Sequence, residues 1–314
     1  MSVSLTAWIL LIIAILAMLA FDLLLHRDGH EITFREATKW SVIWVVVGLA
    51  AGGVIGVLYG ADFWWQYVTG YIVEKSLAVD NVFIWAIIFS YFAVPKHMQH
   101  RVLFYGVIGA LIFRAILIGS GAAILERASW MIYVFGAFLI LTGFKMLAQR
   151  NEHLDLADSK ILKLINRVIP LHDQYQGQKF IVRVENAIKA TPLLPVLIFV
   201  EVMDIIFAVD SIPAVFAITD EPFLVFASNA FAILGLRAMY FLLGGLIDRF
   251  IYLKVGLSVI LVWVGFKMIL AHSVVKIPTG VSLAVILAIL AVTIVASMKA
   301  TRELEASGEP QEHR

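Results

Sequence analysis

The chain has 314 residues, a net charge of +1, 61% hydrophobic and 15% charged residues, and a mean hydropathy of +0.93. Soluble domains are about 45–50% apolar and about 25% charged, so this composition excludes a soluble enzyme, and the lack of a basic excess excludes a nucleic-acid binder. With no cysteine there are no disulfides, thiolate metal sites or thiol nucleophiles, and any metal must be held by oxygen or imidazole.

A helix needs roughly 20 apolar residues to cross the hydrocarbon core. In chain order such runs fall at about 3–25, 40–60, 67–93, 102–124, 129–148, 193–218, 223–246, 250–271 and 279–299. This predicts an all-α polytopic membrane protein of about nine transmembrane helices, with residues 1–300 as one transmembrane domain. The first run has no charge before Asp22 and lacks the basic start of a signal peptide, so it reads as a retained span. Gly48, Gly52 and Gly56 on span 2 form a GxxxGxxxG stripe that permits close helix packing.

Lys and Arg counts set the orientation. With the N-terminus outside, Arg127 and Lys276 are the loop bases on the outer side. Arg27, Arg35, Lys39, Lys96, Arg101, Arg150, Lys160, Lys163, Arg167, Lys179, Arg183, Lys189, Arg249, Lys299, Arg302 and Arg314 all fall inside. The expected topology is therefore N-terminus out and C-terminus in the cytoplasm. The basic loop 149–192 is expected to be cytoplasmic, with a short amphipathic helix carrying Ile161, Leu162, Leu164, Ile165 and Val168. Residues 301–314 read as a disordered polar tail. His26, Asp28, His30 and Glu31 after span 1 read as a solvated loop or a peripheral metal site, and Asp22 as a vestibule acid or a snorkelling end residue. Trp40, Trp64, Trp65, Tyr91 and Trp130 read as interface anchors.

Two segments recur. Ala78-Val79-Asp80-Asn81 is answered by Ala208-Val209-Asp210-Ser211 at an offset of 130, and Gly143-Phe144-Lys145-Met146 by Gly265-Phe266-Lys267-Met268 at an offset of 122. Arg114 in span 4 corresponds to Arg237 in span 7. The units are spans 3–5 and 6–8. They lie an odd number of spans apart, so the second copy runs upside down, as in transporters built from inverted repeats.

Spans 3 and 6 carry Glu74, Lys75, Asp80 and Asn81, and Glu201, Asp204, Asp210 and Ser211. An ionised side chain at mid-bilayer costs about 2.5–3.5 kcal/mol on insertion scales. Asp80, Glu201, Asp204 and Asp210 together would cost roughly 10–14 kcal/mol, comparable with the 5–15 kcal/mol, roughly, of a whole domain. They must be protonated, paired or bound to a cation. Six residues turn a helix by about 600°, so Glu74 and Asp80 point about 120° apart, whereas Glu74 and Asn81 share a face, as do Asp204 and Ser211. Either the helix is broken, for which Pro213 in span 6 is the candidate, or each helix completes a site with residues of its counterpart. The plain alternative is that the acids pair with Arg114, Arg237 and Lys75 and merely tie helices together. Six span acids, counting Asp22 and Glu74, exceed these bases and favour a cation path. Asn229 in span 7 adds an uncharged oxygen at depth as ligand or interhelical bond.

The segments Glu74–Phe83, Asp204–Ala214 and Ser228–Phe241 resemble signature segments of the TerC family of integral membrane proteins, in an Alx-like branch, over about residues 22–296. The family is named for tellurium-ion resistance. The resemblance implies a bacterial inner-membrane exporter of manganese, and carries a role in transport onto Glu74, Asp80, Asn81, Asp204, Asp210 and Ser211, with Glu201 and Asn229 added. The expectation is thus a secondary transporter exporting divalent cations, above all Mn²⁺, by alternating access with protons as counter-ion, and with no bound cofactor. Hard oxygen donors suit Mn²⁺, Mg²⁺ or Ca²⁺, and the absence of a GxxxxGK[ST] loop argues against ATP drive. The rivals are a membrane scaffold or metal-delivery protein of a tellurite- or metal-stress complex, and an intramembrane aspartyl protease. The protease lacks the Gly-x-Gly-Asp context at Asp80 and Asp210.

Overall fold

The structure is a computed structural model that describes residues 3–25, 33–128, 130–148, 175–184, 187–243, 251–273 and 277–307. Among these, the helices in chain order are α1 (Leu5–Leu25), α2 (Phe34–Tyr59), α3 (Ala61–Tyr91), α4 (Lys96–Arg127), α5 (Met131–Ala148), α6 (Leu193–Phe216), α7 (Pro222–Leu234), α8 (Leu236–Leu243), α9 (Leu253–Ser273) and α10 (Thr279–Ser307). Between α5 and α6 lies an antiparallel hairpin, β1 (Ile181–Val184) and β2 (Ala187–Ala190), with Ile181 opposite Ala190. Prolines mark several helix starts, where a missing N–H is harmless: Pro95, Pro192 and Pro278 immediately precede α4, α6 and α10, and Pro222 opens α7.

Six of these helices are long and apolar enough to cross a membrane, or seven if the bent pair α7–α8 is one span. The expected nine is therefore reduced by this measure. α3 and α6 fall outside the six because they carry Glu74, Lys75 and Asp80, and Glu201, Asp204 and Asp210. The same acids that suggested function lower the apolar signal of their own helices.

The glycine stripe on α2 packs as its spacing predicts. A Cβ at Gly48, Gly52 or Gly56 would overlap Tyr71, Tyr67 or Trp64 of α3, and the Tyr67 hydroxyl donates to the Gly48 carbonyl at 2.9 Å. Overpacking costs about 1–3 kcal/mol, so Gly52→Val is expected to lower the melting temperature and the yield of monodisperse protein. Gly53→Val, whose Cβ meets nothing within 4 Å, is expected to leave both unchanged. Fluorescence-detected size exclusion after a heat step measures the contrast.

Two helix pairs are packed antiparallel. Across α3 and α6, Asn81 meets Asp204 and Gly70 meets Val215. Across α5 and α9, Gly143 approaches the Ser258 carbonyl and Gly265 approaches the Gly136 carbonyl. These contacts come in mates. Shifting each number by 122 turns Gly143–Ser258 into Gly265–Gly136, and shifting by 130 turns Asn81–Asp204 into Ser211–Glu74, two residues that both accept from Arg114 Nη1. Reciprocal contacts of this kind are what a two-fold relation imposes.

The hairpin segment packs against the α3–α4 turn and the first turns of α4. The Tyr175 hydroxyl donates to the Phe92 carbonyl at 2.7 Å, Phe180 meets Tyr105 edge-on at 5.3 Å, and the Arg101 guanidinium lies 5.5 Å from the Phe180 ring centre. The amphipathic helix expected at Ile161, Leu162, Leu164, Ile165 and Val168 lies outside the described residues, as do His26, Asp28, His30 and Glu31. At the C-terminus α10 runs on to Ser307, into the segment read from sequence as tail.

Candidate functional site

The site forms where α3, α4 and α6 cross at mid-helix. Arg114 of α4 is buried there with a relative exposure of 2%, beside Glu74 and Asp204 at 1% each. Its Nε and Nη2 donate to Asp204 Oδ2 and Oδ1 at 3.2 and 3.1 Å, a two-pronged pairing. Its Nη1 donates to Glu74 Oε2 at 2.9 Å and to Ser211 Oγ at 3.3 Å. Asn81 Nδ2 donates to Asp204 Oδ1 at 3.4 Å. Glu74 with Asn81, and Asp204 with Ser211, were expected to share faces. The structure joins those two faces into one cluster and adds Arg114.

Some polar atoms of the expected site find no protein partner. Glu74 Oε1 and Glu201 Oε2 are buried without a hydrogen-bond donor, and the Asn229 amide nitrogen is buried without an acceptor. Glu201 lies three residues before Asp204, hence on the same face of α6, and packs against Gly109, where a Cβ would collide with its carboxyl group. Two carboxyl groups thus hold one guanidinium, and the third, Glu201, lies a turn from Asp204 along α6. Anionic oxygens are the donors a hard cation takes. Among the described residues no three His, Asp or Glu side chains converge as a metal-ligand set; the guanidinium stands between the acids.

The repeated aspartates are placed differently. Asp80 lies in α3, but its side chain falls outside the described residues. Asp210 is half-buried and accepts from Thr142 Oγ1 of α5 at 3.3 Å, with Lys145 one turn further along. Six residues after Asp204, it faces away from Arg114, as the angular count requires.

Arg237 does not repeat the role of Arg114. Its Nη2 donates to Asp22 Oδ1 at 2.6 Å and to the Asp22 carbonyl at 3.1 Å, and its Nη1 lies 3.1 Å from His100 Nε2. Because arginine only donates, His100 accepts there and carries its proton on Nδ1. Tyr240 donates to Gln99 Oε1 at 3.0 Å in the same region, toward the hairpin end. Asp22 is thus a buried ion-pair partner of Arg237. His100, Gln99 and Tyr240 had no signal in the sequence, being single polar residues without a spacing pattern.

Of the two alternatives for gathering the acids, a helix break at Pro213 is not the one found. α6 continues through Pro213 and ends one turn later at Phe216. A proline so near the end disturbs only the final turn. The break falls instead at Gly235 between α7 and α8, which are bent by 42°. Lys75, which the plain alternative paired with an acid, donates to the freed Ala232 carbonyl at 3.0 Å. Gly235 is required by crowding, since a Cβ would lie 2.7 Å from Trp44 Cβ.

A cavity of about 800 Å³ opens at the end opposite the hairpin, between the first turns of α1, the last turns of α4 and the α6–α7 connection. Trp8, Ala122 and Phe226 line it, Glu126 and Asp220 stand on its walls, and it reaches Ala115, the residue after Arg114. Phe216, against Gly121, forms part of its floor.

The profile of the integral membrane protein TerC family matches residues 59–305. The chain is 48% identical over 302 residues to an uncharacterized membrane protein of Myxococcus xanthus, covering 96% of this chain and 94% of that one. It is 44% identical over 301 residues to the putative membrane-bound redox modulator Alx of Escherichia coli K12, covering 90% and 91%. It is 38% identical to an uncharacterized membrane protein of Rickettsia felis, covering 93% and 97%. No solved structure matches the chain significantly.

Proposed function

The chain belongs to the integral membrane protein TerC family, and from that premise we propose that it is a secondary exporter of divalent cations whose principal cargo is Mn²⁺. It is a multi-pass membrane protein. In this reading it has nine spans, counting α7–α8 as one and including the acid-bearing α3 and α6, with the N-terminus outside and the C-terminus in the cytoplasm of a bacterial cell. The antiparallel contacts and their mates support an inverted repeat of spans 3–5 and 6–8.

One observation carries the proposal: a guanidinium buried at mid-helix between Glu74 and Asp204, with Glu201 alongside and carboxylate oxygens left over. The charge that the acids require is supplied by a side chain, and a side chain can be displaced. Arg114 acts as a built-in stand-in for the cargo. It keeps the empty site neutral enough to survive in lipid and yields to a doubly charged ion. Glu74, Asn81, Glu201, Asp204, Ser211 and Asn229 are the donors on offer. Asp80 and Asp210 act as further ligands on the path, and protons exchange for the cation at the carboxylates. The choice of Mn²⁺ rests on the family resemblance, since the oxygen donors alone also suit Mg²⁺ and Ca²⁺.

The name of the Escherichia coli relative points to redox modulation. With no cysteine, any redox effect of this chain does not run through a thiol of its own. Metal handling remains a route to it.

Purified protein in liposomes with a Mn²⁺-quenched dye inside provides the test. Wild-type protein is expected to pass Mn²⁺ down its gradient, faster with an opposing pH gradient, and Asp204→Asn to reduce the rate at least tenfold. No flux from wild-type protein would overturn the exporter reading in favour of a scaffold.

A further inference from the structure

The two ends of the bundle are not alike. At the open end a cavity of about 800 Å³ reaches Ala115 and Ile118 of α4. The Arg114-to-Arg237 offset carries these residues onto Ala238 and Phe241 of α8. At that place Ala238 is buried, and around it Arg237 is tied to Asp22 of α1 and His100 of α4, and Tyr240 to Gln99. Asp22 and His100 lie near the ends of α1 and α4 on the hairpin side, and His100 is fourteen residues, or about 21 Å of helix, from Arg114. The Arg237 cluster is therefore separate from the mid-bundle site. It ties three helices together at the hairpin end.

We propose that Asp22 and His100 are positioning residues that hold Arg237 as a latch closing the hairpin end of the transport path while the other end is open. Release of the latch opens the mate cavity beside Ala238, with α8 moving at its break from α7 at Gly235. The proposal rests on the alternating-access reading above and adds the device that sets which end is open. An arginine is suited to this because it grips a carboxylate, a backbone carbonyl and an imidazole at once, so one side chain joins α8 to both α1 and α4.

The chain has no cysteine, so a single introduced thiol reports without background. In nanodiscs, where both ends are accessible, maleimide labelling rates are compared for Ala122→Cys in the open cavity and Ala238→Cys behind the latch. In the otherwise wild-type chain the Ala122 site is expected to label at least tenfold faster than the Ala238 site. Adding Asp22→Asn is expected to raise the rate at Ala238 at least tenfold and to lower it at Ala122, whereas Asp22→Glu restores the wild-type pattern. Should Asp22→Asn protein fail to fold, His100→Phe, which keeps the Asp22–Arg237 pair, is expected to give a threefold rise at Ala238. An unchanged rate at Ala238 in folded variants would overturn the latch. So would faster labelling at both sites together, because that reports loosening and not exchange. Labelling needs no transported ion, so an absence of Mn²⁺ flux with reciprocal labelling would sink the exporter reading and leave the latch standing.

Discussion

Arg114→Ala is expected to give a protein whose folding depends on divalent cations. Removing one partner of a buried ion pair costs about 3–5 kcal/mol because the other charge stays behind. Here Glu74 and Asp204, each 1% exposed, would both be stranded. Without added metal the variant is expected to be poorly expressed and to melt well below wild type. If the acids are a cation site, millimolar Mn²⁺ restores the missing charge. A ligand that binds only the folded state at 100 times its Kd adds about 2.7 kcal/mol. The melting temperature of the variant should then rise by several degrees with Mn²⁺, while that of wild type moves little because its own guanidinium competes. Thermal unfolding by tryptophan fluorescence with and without Mn²⁺ measures this. Equal, small shifts in both proteins would show that the acids serve Arg114 alone.

The second large effect separates stability from transport. Asp204→Asn and Asp210→Asn remove the same charge from the same helix, yet their surroundings differ. Asp204 is fully buried and gripped in two places by Arg114, so its loss is expected to cost about 3 kcal/mol or more as well as the flux. Asp210 is half-buried and accepts one bond from Thr142, for which about 1 kcal/mol is typical. Its variant is expected to melt within a few degrees of wild type. If Asp210 is a ligand on the path, liposome Mn²⁺ flux nevertheless falls at least tenfold. Wild-type flux in Asp210→Asn, at normal protein level, would remove Asp210 from the transport path and confine the chemistry to the Arg114 cluster.

Much of the candidate site was legible before any fold was known, because it depends on helix geometry alone. Residues seven apart share a face, which grouped Glu74 with Asn81 and Asp204 with Ser211. Residues six apart do not, which sent Asp210 elsewhere. The alternative reading, in which acids pair with buried bases, also holds in part: Arg114 does bind Glu74 and Asp204, and Arg237 binds Asp22. What spacing could not show was the assignment of partners. Arg114 and Arg237 correspond in the repeat read from sequence, yet one sits at mid-helix between two acids and the other near the hairpin end beside His100.

The amino-acid sequence by itself determined the solvent and the periodicities. A chain this apolar has to fold in lipid, its acids have to be compensated there, and the 3.6-residue turn dictates which of them look the same way. Those are local or additive properties, and they survive any arrangement of the helices. The tertiary structure alone decided where the compensating charges come from, that α6 stays unbroken at Pro213 while the chain bends at Gly235, and that Lys75 serves a backbone carbonyl. Each of these depends on side chains tens or hundreds of residues apart meeting at a given depth. That is set by how whole helices pack against one another, which no short stretch of sequence encodes.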